Sequence, residues 1–466
     1  MIAGPLLLSG LLLVVALAVY LLRRCEPLAA LIASLTSALI AVGLWRLPLD
    51  APARVAGRPV NLGMVFVWED VAFRVTPASR ALLVFLFAMA AVAFILAWRT
   101  YQGRSFYPFG LLLLALWSAV VLLQPLTLAP LAVVLAAVLS VFLIQAGRAG
   151  DTQGAWRQLL FPALAVPFFI LAAWYIDQTP LNPDDLAPLQ TAGWLLIIGF
   201  ALLLQPAPLH VAVPAVAGQA PPVVAAFLWA GGQAVTLFLL QRFLVTYPWL
   251  SDAVDSAQWL LWLGVFTAVL GGIMSAAQQR LGRLLGYAAL YDYGVLIVAL
   301  GLRGTAGLPT AIWLLITRTV ALLTMAAGVA AIRHYMASDS FDRIRGAVSR
   351  MPWAVVAMIA GGFGLAGLPL TAQFASRWAL LQLVTESDPR WTLLLIAGAL
   401  GVTIGVARAG QATFGELSGS PVEREPAGLA LVAVLLVLTG VFLAVFPQLL
   451  TDPVAAVILP LSVLEP

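Results

Sequence analysis

The stretch Gly193–Pro214, GWLLIIGFALLLQPAPLHVAVP, decides the fold class of this chain. It begins as an apolar run, and its second part places His210 among three prolines, Pro206, Pro208 and Pro214. An apolar run of about 20 residues spans a lipid bilayer as a helix. Proline removes a backbone donor and interrupts a helix, so this span is predicted to be broken at membrane depth. Broken backbone persists there where protein or a wet cavity satisfies it.

Similar apolar runs recur along the whole chain. Of the 466 residues, 63% are hydrophobic and 9% are charged, whereas soluble domains carry about 25% charged residues. The sequence therefore predicts an all-α polytopic membrane protein with about 14 transmembrane helices. The predicted spans are 5–22, 27–45, 80–99, 107–124, 126–147, 157–175, 190–217, 221–242, 257–276, 283–302, 308–332, 352–384, 391–410 and 427–447.

The twelfth span is predicted to be broken as well, because it carries Gly364, Gly367 and Pro369. The two breaks are five spans apart. Because five is odd, the segment around the second break crosses the membrane in the opposite direction from the segment around the first. This pattern favours two inverted five-helix repeats, spans 4–8 and 9–13, with a functional path near the breaks. The alternative is simple kinking by proline and glycine, which are common in membrane helices.

These observations divide the chain into four parts. They are an N-terminal part, 1–106, with spans 1–3 and an outer loop at 46–79; a first repeat, 107–242; a second repeat, 257–410; and a C-terminal span and tail, 411–466. Arginines are more frequent in the inner loops when both termini lie on the outer side, as the positive-inside rule requires. Alternating apolar and polar residues around Asn61–Phe73 predict a small β-hairpin in the outer loop.

Four ionisable residues fall inside spans or breaks: His210, Asp292, Arg318 and Arg377. Charges at this depth are costly and usually face a partner or water. Asp292 and Arg318 lie on adjacent spans, so we expect them to pair. The pair has two interpretations, a structural ion pair that fixes helix packing or a relay in which Asp292 takes up and releases a proton.

Two of these residues lie near the breaks and have two interpretations each. His210 either titrates near neutral pH or satisfies the freed backbone of the first break. Arg377 either caps carbonyls at the second break or sets the potential of a wet cavity. The glycine pairs Gly271-Gly272 and Gly361-Gly362 are typical of close helix approach.

Other site classes lack the residues they need. Cys25 is the single cysteine, and histidine occurs twice in the sequence, so neither a disulfide nor a metal centre is expected. The arginines lie in separate loops and form no stripe that would bind nucleic acid. No phosphate-binding glycine loop, haem pair or nucleophile triad is recognisable in the sequence.

Three segments carry a family resemblance. Residues 208–228, PLHVAVPAVAGQAPPVVAAFL, resemble the P-[FL]-H-x-W-L-P-D-A-x-x-x-A-P-T-P-V-x-A-F-L segment of the antiporter-like membrane subunits of proton-pumping NADH:quinone oxidoreductase (complex I). The Mrp cation/proton antiporters and membrane-bound hydrogenases share this segment. Residues 278–294 resemble Q-x-x-x-K-R-L-L-A-Y-S-S-I-x-H-x-G, and residues 367–377 resemble G-I-P-P-x-x-G-F-x-x-K. Length and motif form are most similar to the subunit type nearest the quinone-binding arm.

The departures from the family pattern bear on proton movement. The resemblance implies a glutamate in span five and lysines in spans seven, eight and twelve along a hydrated axis. Those positions hold Val134, Leu203, Gln233 and Arg377, and Asp292 replaces the usual histidine of span ten. All 24 basic residues of the chain are arginine. A GC-rich genome would account for Arg377 but not for Leu203 or Gln233.

The resemblance implies a membrane subunit of a complex I-like or Mrp-type assembly in a bacterial inner membrane. It would take part in proton or monovalent-cation translocation coupled to electron transport, with conduction reduced or lost through the replaced lysines. Its partners would be other membrane subunits and the lipid bilayer, with no nucleic acid. No cofactor is expected in this chain, so any redox chemistry would belong to its partners. The alternatives are a non-conducting structural subunit and a stand-alone secondary carrier.

Overall fold

The computed structural model describes residues 2–49, 51–55, 58–69, 71–100, 102–147, 150–178, 187–250, 255–302, 306–415 and 424–451. The helices of the first half are α1 (Gly4–Leu21), α2 (Glu26–Arg46), α3 (Pro77–Ala97), α4 (Phe106–Leu122), α5 (Ala129–Gln145), α6 (Gln153–Gln178), α7 (Ala187–Leu204), α8 (Ala212–Gln219) and α9 (Pro222–Thr246). The second half contains α10 (Ser256–Ala276), α11 (Leu281–Gly301), α12 (Gly307–Tyr335), α13 (Pro352–Ala366), α14 (Phe374–Ser387), α15 (Pro389–Ala412) and α16 (Ala427–Val445).

Among the described residues, twelve helices are long and apolar enough to cross a membrane, and α4 and α13 are shorter apolar helices. The chain is therefore an all-α multi-pass membrane protein, as the sequence predicts. The two spans predicted as broken each consist of two helices, α7 with α8 and α13 with α14. The inverted symmetry of spans 4–8 and 9–13 and the four-part division of the chain stay predictions.

The described residues of loop 46–79 form short strands, which agrees with the predicted hairpin. β4 (Phe66–Trp68) and β5 (Val71–Phe73) pair antiparallel, and β6 (Leu123–Gln124) extends this sheet beside β5. A second sheet joins β1 (Ile2–Ala3), β3 (Arg58–Asn61) and β2 (Ala53–Val55). The parallel pairing of β1 with β3 fixes the start of the chain beside this loop.

Glycines allow helices of the second half to pack backbone to backbone. A side chain at Gly271 would collide with the backbone of Tyr291 in α11, and one at Gly272 with the backbone of Gly398 in α15. On α13, a side chain at Gly361 would collide with the backbone of Met325 in α12. These positions confirm that the glycine pairs serve close helix approach, and they bring α11, α12 and α13 into one tight group.

Each break ends its first helix in a different way. At the first break, Gln205 has a positive φ of 51° and Pro206 and Pro208 follow before α8, whose third residue is Pro214. At the second break, α13 ends at Ala366, and the next residue, Gly367, has a φ of 80°. The Gly367 amide bonds to the Gly364 carbonyl and the Leu368 amide to the Phe363 carbonyl, which is a Schellman cap. Pro369 follows and prevents the helix from continuing.

Candidate functional site

A row of four polar side chains in contact with one another links four different helices. The polar row consists of Gln233 on α9, Arg318 on α12, Asp292 on α11 and Arg377 on α14. The three charged members expose 3% of their surface or less, so they are removed from both water and lipid. A buried charge in a membrane requires a partner, and the row supplies partners from within itself.

The ion pair expected between Asp292 and Arg318 is present. The Nε atom of Arg318 lies 2.8 Å from Oδ2 of Asp292. The N–H direction at Nε does not point at Oδ2, so this contact is an ion pair and not a directed hydrogen bond. The Nη2 atom of the same guanidinium donates to Oε1 of Gln233 at 2.5 Å. Arg318 therefore joins α9 and α11 through one planar group.

Arg377 is a second partner of the same carboxylate. Its Nη2 atom donates to Oδ1 of Asp292, and it also donates to Oε1 of Gln373 at 2.8 Å and to the Leu365 carbonyl at 3.1 Å. Leu365 lies in the last turn of α13, so Arg377 caps one carbonyl at the second break, in line with one of its two expected roles. The same side chain lies against Gly367, where a Cβ atom would be 2.8 Å from Cγ of Arg377.

The sequence gives no direct sign of Gln373 or of the two aromatic rings that flank the row. The guanidinium of Arg377 lies 5.2 Å from the ring centre of Tyr291, and that of Arg318 lies 5.7 Å from the ring centre of Tyr293. Both tyrosines neighbour Asp292 in sequence, which is the one signal that could have identified them. Their faces offer each cation a weak additional attraction in a desolvated site.

The charges of the row limit the chemistry that it can perform. Two arginines face one aspartate, so the row carries one surplus positive charge. Arginine does not release its proton in proteins, so neither cation can act as a proton relay. The Asp292 carboxylate is the single counter-charge within the row, and without it two buried guanidinium groups would be unbalanced, which is costly.

His210 lies apart from the polar row. Its side chain is half-buried, and Nδ1 is buried without a hydrogen-bond partner among the described residues. One freed group of the first break, the Ala207 amide, donates to Oγ1 of Thr267 at 3.0 Å. The sequence did not identify Thr267 as a partner of this break. An isolated threonine on another span gives no sequence signal of this contact.

The other three positions at which the family resemblance implies ionisable residues, Val134, Leu203 and Gln233, lie at or near an uncharged cavity. Leu203 and Gln233 line one cavity of about 80 Å³, and Val134 lies half-buried on α5, whose residues Val133 and Ala136 also line this cavity. A cavity of this size has room for a small number of waters. None of its lining residues is ionisable. In the first half of the chain, the side chains around the cavity beside Gln233 are therefore uncharged.

The chain is similar to known proteins in both sequence and fold. Residues 182–404 match the family described as NADH:quinone oxidoreductase/Mrp antiporter, TM. NADH-quinone oxidoreductase subunit N of Cereibacter sphaeroides is 31% identical over 215 residues, which cover 45% of each chain. The same subunit of Gemmatimonas aurantiaca is 26% identical over 245 residues, which cover 51% of this chain and 45% of the relative. The chain thus spans about half the length of the curated relatives it matches.

Solved structures share the fold over nearly the whole chain. A chain of the archaeal membrane-bound sulfane sulfur reductase has a TM-score of 0.82 at 16% identity, covering 97% of this chain and 96% of that one. A chain of the Mrp complex from Dietzia has a TM-score of 0.79 at 16% identity, with the same coverage. A chain of respiratory complex I from Thermus thermophilus has a TM-score of 0.73 at 19% identity, covering 96% of this chain and 98% of that one. Residues 182–404 are thus similar in sequence to the transmembrane domain of the NADH:quinone oxidoreductase/Mrp antiporter family, and nearly the whole chain shares the fold of these solved chains.

Proposed function

We propose that this chain is a membrane subunit of a NADH:quinone oxidoreductase-like or Mrp-type assembly. It takes part in proton translocation coupled to electron transport, and its own conduction is weak. The family match and the relatives named NADH-quinone oxidoreductase subunit N support the assignment to such an assembly. The fold shared with chains of the Mrp complex and of respiratory complex I supports it independently.

The observation that carries the proposal is the continuous polar row from Gln233 to Arg377. Maintaining three buried charges inside apolar helices is costly, and such residues in membranes usually serve ion movement. The row also explains why conduction is weak. Its two cations hold their protons, and its single carboxylate is held between them. The row shapes the electrostatic field along the middle of the bundle more readily than it passes a proton.

A second candidate function is that of a non-conducting structural subunit. The observation that favours it is the uncharged lining of the cavity beside Leu203 and Gln233. Without a titratable group there, a proton entering the first half has no side chain to receive it. In this case the polar row would serve helix packing, and His210 would have no role in transport. A stand-alone carrier is a third and weaker candidate, because the matched relatives are named as subunits.

The proposal implies which partners, transported species and membrane the chain has. Its partners are other membrane subunits and the lipid bilayer, and its transported species are protons or monovalent cations. The bacterial relatives support a bacterial inner membrane, with both termini on the outer side according to the loop arginines. The chain holds no cofactor of its own in this proposal, so NADH and quinone chemistry belongs to its partners.

The first experiment purifies the native assembly from the source membrane and identifies its neighbours by mass spectrometry. Recovery with hydrophilic redox subunits supports a complex I-like host, and recovery with other Mrp-type subunits supports an antiporter host. Recovery of the chain alone, in membranes that contain intact assemblies of both kinds, contradicts the proposal and favours the stand-alone carrier.

The second experiment measures proton flux in proteoliposomes that contain the purified assembly. Variants His210→Ala and Asp292→Asn are compared with Asp342→Asn, which makes the same chemical change at an exposed site. Thermal unfolding curves identify the assemblies that remain folded, and flux that falls in a folded assembly of either of the first two variants but not in the control supports translocation through this chain. Flux that is retained in the double variant removes both residues as relays and favours the structural candidate.

A further inference from the structure

A cavity of about 590 Å³ opens at one end of the helix bundle, away from the polar row. It lies where α9 and α11 begin and α12 ends, and its lining includes Pro222, Arg280 and Arg333 from these three helix ends. The volume falls in the range typical of small-molecule sites. The helices α9, α11 and α12 are mostly covered by other helices, so the opening faces solvent at the end of the bundle more than lipid at its side.

The charge of the cavity lining is strongly positive. Arg280, Arg333 and Arg343 line it, and Asp339 is the one acidic residue in the lining. Neither Arg280 nor Arg343 forms an ion pair within the part of the chain that the structure describes. Guanidinium groups match phosphate geometry with paired N–H donors. The lining thus offers a surplus of fixed positive charge that a phosphate dianion would balance.

The backbone holds this lining in place without a ligand. The segment that carries Asp339 and Ser340 is joined to the start of α11, because the Leu281 amide donates to the Asp339 carbonyl at 2.8 Å. The Phe341 amide donates to the Gln279 carbonyl at 3.0 Å. These bonds fix Arg280 beside the segment that leads to Arg343. A preformed arrangement of donors lowers the entropy that a ligand must lose on binding.

The cavity also contains a buried acceptor that lacks a donor. Gln102 is 5% exposed and lines the cavity. Its Nε2 atom donates to the carbonyl and the hydroxyl of Thr100, at 3.1 and 2.8 Å, which fixes the orientation of the amide. Its Oε1 atom is buried without a partner. A buried acceptor left unsatisfied is costly, and a ligand hydroxyl or ammonium group would satisfy it.

We propose that this cavity binds a phosphate ester that carries a neighbouring hydrogen-bond donor, with glycerol phosphate as the simplest example. The arginines take the phosphate, and Gln102 accepts from the adjacent hydroxyl. The same chemistry occurs in a soluble phosphate ester and in the headgroup of phosphatidylglycerol. The proposal goes beyond translocation and does not depend on it, since none of the polar row lines this cavity.

The test uses the full chain in phosphatidylcholine nanodiscs and titrates glycerol 3-phosphate by calorimetry. A double variant, Arg280→Gln with Arg343→Gln, is compared with Arg345→Gln, which makes the same change at an exposed residue outside the cavity. A second arm uses nanodiscs that contain phosphatidylglycerol and counts retained lipids by native mass spectrometry. A thermal unfolding curve confirms that each variant is folded.

In the double variant, binding of the phosphate ester should weaken at least about tenfold. A hydrogen bond to a charged group contributes at least this much to affinity, and the variant removes the arginine donors of such bonds. The Arg345→Gln variant should bind as the unaltered chain does. Calorimetric binding in phosphatidylcholine identifies a soluble ester as the ligand. Retention of phosphatidylglycerol that is lost in the double variant identifies a lipid headgroup. Absence of both signals, or equal binding by the double variant and the control, overturns the proposal.

Discussion

Asp292 and Arg318 form a buried ion pair in which Nε of the arginine lies 2.8 Å from Oδ2 of the aspartate. The pair joins neighbouring helices α11 and α12, and it does not stand alone, because Arg377 approaches the other oxygen of the same carboxylate. One acidic side chain therefore balances two cations that lie 59 positions apart in the sequence. This arrangement fixes charge at positions where the family resemblance implies groups that release protons.

Asp292→Asn should strongly destabilise the protein. The asparagine leaves both guanidinium groups buried without a counter-charge, and removing one partner of a buried pair costs about 3–5 kcal/mol. Thermal unfolding in nanodiscs measures the loss, with Asp342→Asn as the exposed control. Equal unfolding temperatures in the two variants would show that Asp292 does not balance the arginines.

Thr267→Val should destabilise the first break. The valine keeps the shape of the side chain but removes the acceptor of the Ala207 amide, and an unsatisfied buried amide costs about 1–3 kcal/mol. Thr324→Val is the matched control, because Thr324 is also buried in a helix but its hydroxyl bonds to its own Val320 carbonyl. The unfolding temperature should fall further in the first variant. A larger loss in the control would contradict the role given to Thr267.

Gly367→Ala should destabilise the second break and displace Arg377. The backbone at Gly367 has a φ of 80°, and the new Cβ atom would lie 2.8 Å from Cγ of Arg377. The left-handed conformation alone costs a non-glycine residue about 1–3 kcal/mol. Gly43→Ala on α2 meets no neighbour within 4 Å, so it should leave the unfolding temperature unchanged or raise it slightly. Similar losses in both variants would remove the second break as the cause.

The sequence was sufficient for the helical class, both breaks, the outer hairpin and the Asp292–Arg318 pair. Each of these follows from local composition or from the adjacency of two spans. The second contact of Asp292, with Arg377, depends on how α14 is rotated about its axis. Helices that are apolar on all sides carry little periodicity from which such a rotation can be predicted. The contact between Thr267 and the first break was missed for the same reason.

Glu425 should make stability depend on pH. It precedes α16, outside the membrane-spanning helices, and its carboxylate accepts from the Trp353 amide at the start of α13. Burial raises the pKa of the Glu425 carboxyl above its ordinary value of 4.5, and the Trp353 and Ala354 amides offset part of the rise. The folded state therefore holds this proton more tightly than the unfolded state does. The stability contributed by Glu425 is present below pH 4.5 and is lost as pH rises through the raised pKa.

The Glu425→Gln variant isolates this effect, because glutamine keeps an acceptor for the Trp353 amide and cannot ionise. Unfolding temperatures of both proteins are measured from pH 4 to pH 7. The unaltered chain should lose stability relative to the variant as pH rises over this range. A gain relative to the variant would mean that ionised Glu425 stabilises the start of α13 more than burial disfavours it.

Proton flux through the reconstituted assembly with Arg377→Lys shows whether cations that keep their protons limit conduction by this chain. A buried lysine can release its proton whereas arginine cannot, and the lysine would keep a positive charge available to Asp292. The account predicts that flux rises above that of the unaltered assembly, while Arg345→Lys at an exposed site leaves flux unchanged. Flux that stays equal or falls in a folded Arg377→Lys assembly would contradict the claim that retained protons limit this chain.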